Sequence, residues 1–254
     1  LLRRALAEVL PHRGRFRMTL RLASWMRALA PLAPVALRPL LALAPRRMPP
    51  AAARDTGVFA AQGETKRRVA LLAGCVQPTL APEINAATIR LLTRLGCEVV
   101  VPEAAGCCGA LTHHLGREAD ALACVRTNVA AWRTEIDAGG LDAIVVNASG
   151  CGTMLKDYGY LLRDDPGWAD IAARVADMVR DVTELVDEIG MPAPQGGIGG
   201  VVAYQSACSL RHGQKIVDLP KRLLQAAGFE VREPAEAHLC CGSAGTYNIL
   251  QPEI

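Results

Sequence analysis

One arrangement of cysteines occurs twice in this chain. Cys75 precedes the run Cys107-Cys108-Gly109 by 31 intervening residues, and Cys208 precedes Cys240-Cys241-Gly242 by the same 31. A three-thiol constellation repeated at matched spacing marks a duplicated unit whose fold must bring separated sulfurs to one place. Metal or redox chemistry is what such a gathering serves. A second correspondence supports the duplication: Leu95-Gly96-Cys97-Glu98-Val99 aligns with Ala227-Gly228-Phe229-Glu230-Val231, given a one-residue insertion and a compensating deletion.

The segments between the cysteines alternate in character. Residues 69–73, 98–101 and 143–147 read as buried strands, as do 201–204 and 229–231 in the second copy. Between them, residues 82–95 place Ile84, Thr88, Leu91 and Leu95 on one helical face with Gly96 as the stop, and a long helix covers 117–136. Trp168, Ile171, Val175, Val179, Val182 and Val186 mark one further amphipathic helix closing near Gly190, and another runs from beyond Cys208 to Gly228. The expectation is an α/β fold of two tandem cysteine-rich units with mainly parallel sheets. Thiols just past strand ends sit where open α/β sheets bind ligands. The expected division is a basic helical connector over 1–65, a first unit over 66–190, a Gly/Pro linker over 191–200, and a second, truncated unit over 201–254.

Composition narrows the class. Apolar residues make up 51% and charged residues 21%, as in a globular protein. Nine cysteines, an odd number, do not suit a disulfide framework. Adjacent cysteines are also poor partners, their Cα atoms being about 3.8 Å apart where a relaxed disulfide prefers roughly 4.4–6.8 Å. A reducing cytoplasm is the expected setting. Residues 1–68 hold 14 Lys/Arg against 3 Asp/Glu. That imbalance reads either as a docking surface for an acidic partner subunit or phospholipid, or as a solvated connector. No nucleic-acid motif accompanies it. The apolar stretch 28–45 is broken by Pro31, Pro34, Pro39, Pro45 and Arg38, so membrane contact is expected to be peripheral at most.

Cys75, Cys107, Cys108 and Cys151 together offer the four thiolates that a [4Fe–4S] cluster or a structural zinc requires. Cys208, Cys240 and Cys241 offer three more. Gly109 frees the loop so that neighbouring sulfurs can face one site, and Gly106, Gly150 and Gly152 are expected to let backbone N–H groups approach sulfur. Several thiolates crowded in a dry site repel one another unless a cation neutralises them. Cys97 and Cys124 are expected to be buried core residues, since the repeat partner of Cys97 is Phe229. His113, His114, His212, His238 and Tyr247 flank the motifs as possible hydrogen-bond donors, with ordinary packing the expected role.

The runs Gly74-Cys75-Val76-Gln77-Pro78-Thr79-Leu80, Ala105-Gly106-Cys107-Cys108-Gly109-Ala110, Ala148-Ser149-Gly150-Cys151-Gly152 and 238–247 closely resemble the glycolate oxidase iron–sulfur subunits. These are similar to a wider cysteine-rich superfamily that takes in lactate-utilisation proteins and one subunit each of heterodisulfide reductase and the anaerobic glycerol-3-phosphate dehydrogenase. The resemblance implies a non-flavin subunit of an oxidoreductase turning glycolate into glyoxylate, with FAD on partner subunits and electrons relayed to a quinone-linked acceptor. It also implies an upstream ferredoxin-like domain with two [4Fe–4S] clusters, absent from this chain, and a cytoplasmic location, at most peripheral at the inner face of the membrane. This chain departs from the superfamily's closing Cys-x-x-Cys, having Ala148 as its first member. Two other readings stand beside this one: a zinc-bound or metal-free docking scaffold, and a thiol–disulfide redox module.

Overall fold

A computed structural model describes residues 2–34, 38–50, 55–192, 199–239, 242 and 246–251. The basic N-terminal region forms helices α1 (Leu2–Val9) and α2 (Arg13–Met26), then a 3₁₀ turn over Arg27–Leu32. The main sheet has five strands: β1 (Gly57–Phe59), β2 (Arg67–Leu71), β3 (Cys97–Val101), β4 (Ala143–Val146) and β5 (Val179–Asp181). Their order is β1-β3-β2-β4-β5, and only the edge pair β1–β3 is antiparallel. The short β1, inside what reads from sequence as connector, is an addition to the expected strands.

Both faces of this sheet are covered, and for that reason its strands are continuous apolar runs. On one side Val69, Leu71, Val99, Val101 and Val145 pack against Ile89 and Leu92 of α3 (Pro82–Arg94). On the other, Ala70, Leu72, Ile144 and Val146 pack against Val125, Val129, Trp132 and Ile136 of α4 (Glu118–Gly139). β2 is followed by α3 into β3 on one side, while β4 lies on its other side. The chain therefore changes direction about β2, and the crevice at the carboxyl ends of β2 and β4 is the place where doubly wound sheets bind ligands. Helix α5 (Ser149–Lys156) leaves that crevice after β4.

The single amphipathic helix expected across 168–190 is two helices. Helix α6 (Ala169–Met178) ends, residues 179–181 cross as β5 paired to β4, and α7 (Val182–Ile189) begins. Helical periodicity continues through the break because β5 buries Val179 and Asp181 while α7 buries Leu185 and Val186. The discriminating sequence signal is Asp181-x-x-Glu184: the Asp181 carboxylate accepts from the Thr183 N–H at 3.0 Å, and Glu184 accepts from the Asp181 N–H at 2.8 Å.

In the second unit β6 (Val201–Ala203) and β7 (Glu230–Arg232) pair in parallel around α8 (Leu219–Ala226). Arg67 lies opposite Cys97 and Val201 opposite Glu230, so the second strand–helix–strand is one residue shorter, as the sequence alignment requires. Gly96 and Gly228 both end their helices at positive φ, +86° and +91°. The fold is thus α/β with mainly parallel strands, as expected. Only the ends of the Gly/Pro segment 191–200 fall within the described residues.

The capping geometry yields a prediction with a definite sign. Asp181→Ala should destabilise the protein by about 1 kcal/mol in chemical denaturation, the usual cost of a lost cap. Were 168–190 one helix, the same change would remove a poor helix former from an interior position and raise stability by a few tenths of a kcal/mol.

Candidate functional site

Three loops leave the carboxyl ends of β2, β3 and β4, and each delivers cysteine. Cys75 follows β2, Cys107 and Cys108 follow β3, and Cys151 lies in the first turn of α5 after β4. Cys107 and Cys108 are buried, while Cys75 and Cys151 are partly so. The Cys107 thiol lies against those of Cys108, Cys124 and Cys75, and Cys108 also meets Cys151. The four cysteines expected to act together are therefore contiguous, and they line one cavity of about 750 Å³.

This group of sulfurs has an electrostatic order. Hydrogen bonding from Cys108, then from Cys124 and Cys75, holds Cys107 far below the ordinary thiol range, and Cys108 likewise holds Cys151 down. Their partners move the opposite way. Cys75, Cys108 and Cys124 are each pushed up, first by their hydrogen bond to Cys107 and also by burial, with Cys151 a second hydrogen-bond partner that raises Cys108. Adjacent thiols cannot all ionise, so protons remain on alternate sulfurs. A cationic guest would displace those protons as it bound.

The Cys-Cys-Gly backbone is gripped from below by a buried pair. Asn128, on α4, accepts from the Gly106 N–H at 2.8 Å and donates to the Cys107 carbonyl at 2.9 Å. Its amide also donates to the Tyr158 hydroxyl at 3.0 Å, and Tyr158 in turn donates to the Cys108 carbonyl at 2.9 Å. Neither side chain is exposed. The loops after β2 and β4 are joined by a second amide network, in which Gln77 donates to Asn147 at 2.9 Å and Asn147 to Asn85 and Thr88 at 2.9 Å each. Asn85 donates to the Ala73 carbonyl, two residues before Cys75.

Sequence reasoning missed Asn128, although it stands three residues from Val125 on the apolar face of α4. A polar residue on that face is the signal that could have found it. Cys124 also departs from its expected role. It is half-buried beside Cys107 on the wall of a separate cavity of about 360 Å³, and it belongs to neither core cluster. Cys97, by contrast, is fully buried in β3 as expected, and burial pushes its thiol up.

The glycines act differently from expectation. The glycine N–H that reaches sulfur is that of Gly109, which donates to Cys107 Sγ at 3.4 Å, whereas that of Gly106 goes to Asn128. Gly109 adopts φ +89°, and a Cβ there would lie 3.0 Å from the Ala121 carbonyl oxygen and 3.4 Å from Cys124 Cβ. Gly152 makes room for Gln214, whose Nε2 would sit 2.4 Å from an added Cβ. That close approach brings in the second unit: Gln214 donates to the Ser149 carbonyl at 3.0 Å, and Ser209 to the Ser149 hydroxyl at 2.7 Å. Cys208 consequently lines the first unit's cavity. Cys240 and Cys241 lie outside the described residues. Of the flanking histidines His114 reaches the cavity wall, while His212, His238 and Tyr247 are exposed.

A family model for a cysteine-rich domain, named for its Cys-Cys-Gly motif, matches residues 69–156 and 202–254, and so takes in both copies of the thiol constellation. The chain belongs to this cysteine-rich domain family. It is 43% identical over 191 residues to the glycolate oxidase iron-sulfur subunit of Escherichia coli (strain K12), covering 74% of this chain and 46% of that protein. It is 36% identical over 200 residues to a probable glycolate oxidase iron-sulfur subunit of Bacillus subtilis (strain 168), covering 76% and 43%. It is also 32% identical over 184 residues to lactate utilization protein A of Geobacillus kaustophilus (strain HTA426), covering 72% and 74%. The chain spans less than half the length of the two glycolate oxidase subunits it matches.

The cysteine-rich family's thiols here form a donor set suited to an iron–sulfur cluster: contiguous sulfurs, a backbone N–H directed at one of them, and a roomy cavity. Among the described residues, no group of three or more His, Cys, Asp or Glu side chains is arranged to hold a single metal ion. Removing the grip beneath the sulfurs should be costly. Asn128→Ala should lower stability by about 3 kcal/mol and Tyr158→Phe by about 1–2 kcal/mol, since each leaves buried polar groups unpaired. Both should also speed alkylation of Cys107 and Cys108 under native conditions, as read by mass spectrometry.

Proposed function

We propose that this chain is the electron-transfer part of an iron–sulfur subunit in a flavin-dependent 2-hydroxy-acid oxidase. The observation that carries the reading is the meeting of Cys75, Cys107, Cys108 and Cys151 at one cavity mouth, from three loops distant in sequence. On this reading those four hold a [4Fe–4S] cluster, and Cys208, Cys240 and Cys241 contribute to a second centre. When bound, such a cluster passes single electrons. Flavin-bearing partner subunits would oxidise the substrate, and a quinone-linked carrier would accept the electrons on the cytoplasmic side.

The names of the relatives support glycolate as the substrate, with lactate the nearest alternative. The protein's own part is to exclude water, fix the sulfurs and tune their charge. Asn128 and Tyr158 hold the Cys107–Cys108 backbone, and the Gly109 N–H offsets negative charge on the Cys107 sulfur. Domain limits of 66–190 and 201–254 belong to the same proposal. A thiol–disulfide module would need an accessible thiolate. Here the thiol most favoured as thiolate, Cys107, is only 6% exposed.

Anaerobic purification followed by iron, sulfide and zinc analysis tests the proposal. The expected product is brown, with iron and acid-labile sulfide in equal amounts and a paramagnetic signal on reduction. Cys107→Ser should remove at least one cluster's share of iron, whereas Cys97→Ala should retain it. A colourless protein with stoichiometric zinc would establish the scaffold in its place.

A further inference from the structure

Helix α2 has two apolar faces, and the protein uses one of them. Phe16 is buried on the inner side, where Arg13 Nε also donates to the Gly74 carbonyl at 2.9 Å. The outer side carries Met18, Leu22 and Trp25, all exposed, with Trp25 at 75%. At about 100° per residue these three fall within an arc of roughly 60°. The stripe continues into the 3₁₀ turn, whose three-residue period stacks Leu29 on Leu32, the latter 84% exposed. Five large apolar side chains thus form a continuous exposed strip, and scattered surface apolar residues do not align in this way.

Its flanks are basic. Arg15 and Arg21 project about 60° to either side of the stripe, and Arg15 also reaches Glu8. From residue 9 to residue 54 the chain contains nine arginines and no aspartate or glutamate. A partner for this surface must supply both an apolar interior and negative charge beside it. A partner helix is a poor match, because a knobs-into-holes seam needs continuous α-helix and Pro31 with the 3₁₀ turn ends it after Met26. A fluid surface requires no such register. Apolar side chains can sink past the headgroups, Trp25 suits the interfacial layer, and flanking guanidiniums can lie among phosphates.

We propose that the outer face of α2 and the following 3₁₀ turn is a docking surface for a bilayer bearing anionic phospholipid headgroups. Among the described residues no helix is long and apolar enough to cross a membrane, so the contact is one of lying on the surface. The proposal is independent of the cluster and holds whatever the sulfurs bind.

The test is sedimentation of the full protein with vesicles of phosphatidylcholine alone, or with about a third phosphatidylglycerol. Binding should be at least about tenfold tighter to the anionic vesicles and should weaken as salt shortens the screening length from about 10 Å to about 3 Å. It should be accompanied by a blue shift of tryptophan fluorescence. Trp25→Glu and Arg21→Glu should each weaken binding about tenfold or more, whereas Tyr160→Glu, at an exposed aromatic outside the stripe, should leave it unchanged. Equal binding to neutral vesicles, or no loss in Trp25→Glu, would overturn the proposal. A Trp25 shielded from iodide without vesicles would mean the protein's own chain covers the stripe, and a dimer abolished by Trp25→Glu would mean a second copy does. Either result also overturns it.

Discussion

The site depends on a buried amide. Asn128 is surrounded by Val125, Val129 and Trp132 in a face that is otherwise apolar, and burying it unpaired would be strongly unfavourable. Its hydrogen-bonding groups are instead taken up by the Gly106 N–H, the Cys107 carbonyl and the Tyr158 hydroxyl. Tyr158 extends the chain to Cys108. The Cys-Cys-Gly loop is therefore held by the same helix that packs the sheet. The loop's backbone is thus fixed by hydrogen bonds of the protein itself. Buried networks of this kind are favourable when every member is paired, and they specify one geometry.

The thiols are electrostatically coupled to one another. Packed sulfurs share protons, with Cys107 and Cys151 the favoured acceptors and Cys75, Cys108 and Cys124 the donors. Cys124 extends this network towards the N-terminal helices: the cavity it shares with Cys107 is also lined by Ala7, Glu8 and His12. Arg117 pairs with Glu8 at 2.9 Å beside it. The basic region that reads as a connector is thus in part a cover for the back of the cysteine loop, while its outer face remains exposed.

The relation between the two units also has a physical basis. Gly152 and Gly213 lack side chains where α5 and the 209–213 turn approach most closely, since an added Cβ would stand 2.4 Å from Gln214 Nε2 and 2.7 Å from Thr153 Oγ1 respectively. This contact carries Cys208 to the wall of the first unit's cavity. Of the second constellation Cys208 is thus brought to the first unit's thiols.

Sequence alone determined the α/β class, the parallel pairing, the duplication and the thiols to watch, because apolar periodicity and cysteine spacing are local, countable properties. It also placed five of the seven described strands to within one or two residues, as with β2 and β4, and missed β1 and β5. What it left open was everything set by distance through space. A helical period ran through β5 because strand and helix bury overlapping residues. Asn128 and Tyr158 are thirty residues apart, and Cys124 sits seventeen residues beyond Cys107, so neither spacing marks a partnership. Only packing of α4 under the β3 loop brought them together, since which polar groups must pair is decided by which are buried side by side.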